Sequence, residues 1–237
     1  MLFGGSSIGK SSVLRELVFF LRKKYPDIKI ANFFLEESVI DSPLSYMAMA
    51  KDLPIGEVKL NRDLISKAER ERLQKELFPD DKSCFTDEQY DVDSDQLLSH
   101  IKYLATVKHY DVIVLDHISM VIASTASKEG ERRDIDVLCK NLAKMAKQYN
   151  IAIITACHLN DPEGKEGWDD GVIPGLYNGR GSRALAQKPD VVIAVSRNMK
   201  NQFECDKMQL TVLKNRWFSK LGPADTLIYI NKTGRLV

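Results

Sequence analysis

The run Gly4-Gly5-Ser6-Ser7-Ile8-Gly9-Lys10-Ser11-Ser12, three residues from the start, limits the architectures open to this chain more than any other feature. A Gly-x4-Gly-Lys-Ser pattern works only between a buried strand and a helix. There the glycines let backbone N–H groups turn inward around phosphate oxygens, at the positive end of the helix dipole. In that setting Lys10 reaches the β- and γ-phosphates and the Ser11 hydroxyl sits on a Mg²⁺ ion. Ser7 stands where many such loops carry another glycine.

The rest of the chain supplies the strands and helices that such a loop needs. NFFLEES, DVIVLDH, IAIITACH and DVVIAVSRN are short apolar runs ending in polar residues, as strands buried on both faces of a parallel sheet do. Helical patterns lie at Ser11 to Lys24, Ser42 to Leu53, Asp63 to Phe78, Asp93 to Val107 and Arg132 to Tyr149, with Asp93 or Ser94 as a cap. Strands alternating with helices predict an open α/β sheet with right-handed crossovers. After Asn198 the texture changes: MQLTVLKNRWF and TLIYINKTGRLV alternate apolar and polar residues, as antiparallel edge strands do. Thr125 to Glu131 and the glycine-rich stretch Asn160 to Gly181 read as surface loops.

Composition narrows the function classes. The formal net charge of the 237 residues is +1, so any nucleic-acid contact must come from a local patch or from a ring of copies. No apolar run reaches the roughly 20 residues of a membrane span. Cys84, Cys139, Cys157 and Cys205 form no C-x-x-C pair and read as buried thiols in a reducing cytoplasm.

Several polar residues close the predicted strands. Asp116 ends DVIVLDH, where a carboxylate can hold the Mg²⁺ shell beside the loop. Glu36 and Glu37 end NFFLEES. One of them can polarise an attacking water as general base, and alternation along a strand points only one at the nucleotide; a solvated capping pair is the plain alternative. His158 closes IITACH, where an imidazole either packs or hydrogen-bonds a γ-phosphate and reports its loss. Lys214 and Arg216, two residues apart, share one face of a late strand. They form either a solvated basic edge or a pair of cations offered to a neighbouring subunit's γ-phosphate.

Together with FFLEES, DVIVLDHISM, ACHLNDP, NGRGSRALAQKPD, VSRN and LKNRW, in this order and spacing, the loop makes the whole chain resemble the DnaB-like hexameric replicative helicases. It is most like the helicase half of the primase–helicases of short-tailed phages and of Twinkle-like enzymes. LDHISM and RGSRAL carry the likeness, whereas the phosphate loop is shared with many other families. The resemblance implies a RecA-like core that hydrolyses ATP or dTTP with Mg²⁺ at subunit interfaces, moves 5′-to-3′ on single-stranded DNA and unwinds duplex. It implies Glu36 as the base, Asp116 as the acid on Mg²⁺ with Ser11, and His158 as the phosphate sensor. It further implies Gln187 as a link between nucleotide and DNA, Arg197 near the nucleotide, and Arg216 as a finger acting in trans beside Lys214. The implied partners are single-stranded DNA, other copies in a ring, a primase and a DNA polymerase, with no membrane.

The DNA-facing part departs from the family pattern. HLNDPEGKEGWDD is acidic on balance, with Asp161 in place of an amide and Lys165 as its one base, and Ala186 stands where a basic residue is expected. Arg180 and Arg183 remain as phosphate contacts, and Trp168 and Tyr177 as lone candidates for stacking on a base or packing the loop. A single domain over residues 1–237 is expected, N-terminally incomplete, without linker helix or primase domain, and mostly monomeric in isolation. A second reading, an NTP-gated binding or assembly module without unwinding activity, is favoured by the sparse basic charge of that loop.

Overall fold

The computed structural model describes residues 1–38, 40–79, 82–85, 94–122, 128–162 and 164–237. The apolar runs become the strands of one sheet: β1 (Leu2–Phe3), β2 (Ile30–Phe34), β3 (Ser83–Phe85), β4 (Val112–Asp116), β5 (Ala152–Cys157), β6 (Val191–Ser196), β7 (Lys207–Asn215), β8 (Gly222–Ile230) and β9 (Arg235–Leu236). Their order is β3-β2-β4-β5-β1-β6-β7-β8-β9. The first six in this order are parallel to one another, and β7, β8 and β9 are each added antiparallel, as expected. The strand stub β1 is held between β5 and β6, with Phe3 opposite Cys157 and Ala194.

Period-two alternation divides the core. On β4, Ile113 and Leu115 join one apolar cluster and Val112 and Val114 the other. Helices α5 (Ser94–Thr106) and α6 (Lys128–Tyr149) cover the first face, through Leu97, Ile101 and Leu104 and through Ile135, Leu138 and Leu142. Helices α1 (Lys10–Lys24), α2 (Asp41–Ala50) and α4 (Lys67–Leu77) cover the second, through Val13, Leu14, Val18, Tyr46, Met47 and Leu73. Two short helices, α3 (Ile55–Leu60) and α7 (Ala184–Gln187), complete the described set.

The differences from the sequence reading have local causes. The pattern over Asp63 to Phe78 divides into a 3-10 turn at Arg62–Leu64 and α4, because Ser66 caps α4 by accepting from Glu69 N–H. Ser66 is thus the N-cap of α4, while the Glu69 carboxylate pairs with Lys51. Helix α6 begins at Lys128, four residues before its expected start, and residues 125–127 of the expected loop lie outside the described residues, as does Asp93. The helix stops where Asn150 turns left-handed, with φ 52°, and Ile151 N–H closes onto Ala146 O. TLIYINKTGRLV holds two strands, since Gly234 at φ 67° reverses the chain between β8 and β9. No helix among the described residues is long and apolar enough to cross a membrane.

Candidate nucleotide-binding site

Five parallel strands bring their C-terminal ends to one edge of the sheet, where an open α/β sheet leaves its binding crevice. Gly4 follows β1, Glu36 lies just beyond β2, Asp116 ends β4 and His117 follows it, His158 follows β5, and Arg197 follows β6. Helix α1 starts at Lys10 with no acid in its first turn, and Arg22, Lys23 and Lys24 complement its negative end. Its N-terminus is therefore open to an anion. Gly9 has φ 107°, and a β-carbon there would lie 2.6 Å from the Met208 methyl. One on Gly5 would lie 2.4 Å from Trp168 Cβ, so the loop closes only with glycine at both positions.

Lys10 is buried and folds back on its own loop, its Nζ donating to Gly4 O at 3.0 Å and Gly5 O at 2.7 Å. Burial lowers its pKa, against the pull of Asp116. The buried Asp116 carboxyl is raised by desolvation, and the Ser11 hydroxyl hydrogen-bonds to it. This pair of hard oxygen donors fits Mg²⁺, and the glycine cradle fits a triphosphate.

The two adjacent glutamates have separate surroundings. Glu36 is half exposed, and its Oε1 lies 2.9 Å from His117 Nε2. The same His117 nitrogen lies 2.7 Å from His158 Nε2, while Ser119 Oγ lies 2.8 Å from His117 Nδ1. The tautomer that satisfies all three contacts puts the His117 proton on Nε2, shared between Glu36 and His158. Burial, with His117 and Lys10 adding to it, pushes the His158 pKa down to about 4, so that ring is neutral near pH 7. His117 lies inside LDHISM, but no local signal placed it between Glu36 and His158.

Glu37 turns instead to α1 and α3, ion-paired with Arg15 and with Lys59 Nζ at 2.9 Å. Arg15 also lies over the Phe34 ring, 4.9 Å from its centroid. Burial alone would raise the Glu37 carboxyl, but the two cations outweigh it and hold it below its ordinary value of 4.5. Glu37→Gln leaves the buried Arg15 charge under-compensated, and a loss of about 3 kcal/mol is expected in urea unfolding. A lowered folded pKa gives stabilisation that is complete above the unfolded value and is lost as pH falls through the folded one. The wild-type advantage over Glu37→Gln should accordingly vanish in acid.

The late-strand cations lie elsewhere. Lys214 Nζ donates to the Ala186 and Gln187 carbonyls, both at 2.8 Å. Arg216 Nη1 pairs with Asp190 Oδ1 at 2.5 Å, and its N–H reaches Asp190 O. Because β7 runs antiparallel to β6, these residues sit at the start of β6, at the sheet edge opposite Gly4. Gln187 is grouped with them rather than with the phosphate loop. Arg197 is at the loop's end of β6, donating to Cys205 O and lying 5.3 Å from the Tyr229 ring centroid.

The stretch after His158 is tied down. Trp168 packs on Gly5 and donates its indole N–H to Asn160 O at 2.9 Å, so the phosphate loop and this stretch share a contact. Asp169 and Asp170 pair with Lys200, and Arg180 N–H closes onto His158 O. Arg180 and Arg183 line one open concavity with Arg132, Asn160, Asp161 and Tyr177. Lys165 faces a separate one beside Trp168 and Asn178. Arg132 adds a cation to the first pair that the sequence reading missed, since it lies on a helix far along the chain.

Residues 1–230 match the family model described as DnaB-like helicase C terminal domain. A "DNA helicase/primase" of Enterobacteria phage T3 is 31% identical over 237 residues, which is 100% of this chain and 41% of that protein. The chain thus spans about two fifths of that relative's length. A solved structure of an isolated ATPase domain matches with TM-score 0.77 at 17% identity, over 100% of this chain and 82% of that one. A structure of a DnaB-like replicative helicase, described with its interactions with primase, matches with TM-score 0.79 at 16% identity, over 100% and 56%. Both likenesses show the fold, that of a RecA-like ATPase domain.

Proposed function

The chain belongs to the DnaB-like helicase family, matching its C-terminal domain, and from that premise we propose that it is an NTP-hydrolysing motor of DNA replication, translocating 5′-to-3′ on single-stranded DNA as a ring. The observation that carries this reading is the division of the site. The phosphate loop, Glu36, Asp116 and His158 lie at one sheet edge, and Lys214 and Arg216 at the other. Arg216 is held at Asp190, five residues before Val195, whose carbonyl abuts Gly4. At about 3.3 Å per strand residue that offset is about 16 Å, beyond the reach of an arginine side chain. A complete site then needs a second copy.

In this mechanism Glu36 takes the proton of the attacking water as its oxygen bonds to the γ-phosphorus and the bond to the β-phosphate oxygen breaks. His117 holds the Glu36 carboxylate by its shared N–H. When a γ-phosphate oxygen engages His158, that N–H passes wholly to Glu36, which couples phosphate sensing to base orientation. Lys10 leaves its loop carbonyls for the β- and γ-oxygens. Ser11 and Asp116 would hold Mg²⁺, which would neutralise the phosphate charge. Arg180, Arg183 and Arg132 are the proposed DNA-phosphate contacts, with Lys165 on a separate surface. Primase and polymerase are the proposed partners of the longer protein.

The test is steady-state hydrolysis of ATP and dTTP over a range of protein concentrations, with and without single-stranded DNA. Specific activity that rises with concentration and is further stimulated by DNA is expected. Activity indifferent to DNA at all concentrations would favour the NTP-gated module, the reading that the acidic Asp161, Glu166, Asp169 and Asp170 support.

A further inference from the structure

One ligand atom each of Glu36, His117 and His158, from the ends of three adjacent strands, lie within 4.8 Å of one another. The two rings are nearly perpendicular, at 83°, with centroids 3.9 Å apart, so their nitrogens meet without the rings stacking. Two imidazoles and a carboxylate converging on one point are a donor set for a borderline divalent transition metal, whereas Mg²⁺ prefers oxygen alone. Ser119 Oγ at His117 Nδ1 is the outer partner that fixes the ring of a ligating histidine.

We propose that Glu36, His117 and His158 form a Zn²⁺ site separate from the Mg²⁺ ligands Ser11 and Asp116, and that Zn²⁺ there arrests hydrolysis. Tetrahedral bonds of about 2.0–2.1 Å place ligand atoms roughly 3.3–3.4 Å apart. The present 2.7 and 2.9 Å contacts must therefore open by about half an ångström, the ion taking Nε2 as the His117 proton moves to Nδ1, where Ser119 Oγ accepts it. Glu36 is 55% exposed, which supplies both that movement and the entry path. Lys10 and Arg180 face His158 and oppose a cation; Glu36 beside His158 and Asp116 beside His117 offset them. Once bound, the ion occupies the carboxylate lone pair that would accept the water's proton and ties His158 away from a phosphate. Metal binding stands independently of the proposed hydrolytic roles; the arrest rests on them.

The test titrates metal-free protein with Co²⁺ alone, without nucleotide, in millimolar Mg²⁺. One equivalent with the intense visible bands of four-coordinate cobalt is expected, displaced by Zn²⁺ and not by Mg²⁺. His117→Ala should weaken binding at least about 100-fold and Ser119→Ala about tenfold, with circular dichroism confirming that each is folded. Glu36→Ala, on an exposed side chain, gives the same loss without disturbing the core. Displacement by Mg²⁺, near-ultraviolet thiolate-to-cobalt bands from the cysteines, or unchanged affinity in His117→Ala and Glu36→Ala would each overturn the site. Saturating Zn²⁺ should then lower hydrolysis at least about 100-fold, the low end of a base's contribution, with nucleotide affinity unchanged and recovery on chelation. Zn²⁺ bound at the site with hydrolysis unaltered would leave the site standing and remove Glu36 as the base.

Discussion

Arg216→Ala is expected to bind nucleotide with wild-type affinity and to hydrolyse it about 10³–10⁵-fold more slowly, the contribution of an arginine finger. In the single chain Arg216 rests on Asp190, with both side chains partly exposed. A surface pair of this kind contributes at most about 1 kcal/mol. The finger's effect corresponds to about 4–7 kcal/mol of barrier, so transfer to a neighbouring phosphate outweighs the loss of Asp190. Fluorescent-nucleotide binding and steady-state turnover, measured at concentrations where copies associate, separate the two quantities. Mixing Arg216→Ala with Glu36→Gln should recover part of the activity, because an interface of the two variants can hold one intact Glu36 and one intact Arg216. A mixture no more active than its parts would place the finger's action within one chain.

Glu36→Gln is expected to keep nucleotide binding and to lose about 10²–10⁴ in turnover, equivalent to about 3–5 kcal/mol of barrier. The amide keeps the length of the side chain and its contact with His117 but cannot take a proton from water. Glu37→Gln gives the contrasting result, since Glu37 ties Arg15 and Lys59 together. It should change unfolding free energy and leave turnover within a few-fold. Normal turnover in Glu36→Gln, with the loss appearing in Glu37→Gln, would reverse the assignment.

Much of the architecture is legible in the sequence because its signals are local. The phosphate loop carries its own strand stub and helix, and continuous apolar runs such as VIVLD specify strands covered on both faces. The change to alternation after Asn198 marks the antiparallel strands. Weaker local signals failed. SCF is too short to read as a strand, and IGEVKL is one helical turn and a half between a proline and an asparagine. The N-cap at Ser66 was outweighed by the helical pattern on both sides of it.

What the sequence by itself determined, then, was the kind of site and the residue types at its strand ends. Only the tertiary structure decided how those residues pair. Glu36 and Glu37 are identical in chemistry and adjacent, and nothing local separates the one beside His117 from the one beside Arg15. His117 meets a glutamate 81 residues away and a histidine 41 residues away. Trp168 lands on the phosphate loop, and Lys214 and Arg216 at the edge away from it. Side-chain direction and long-range strand register set these pairings, and register follows from burying the faces of the whole sheet. Periodicity within one segment carries no record of which distant segment will lie beside it.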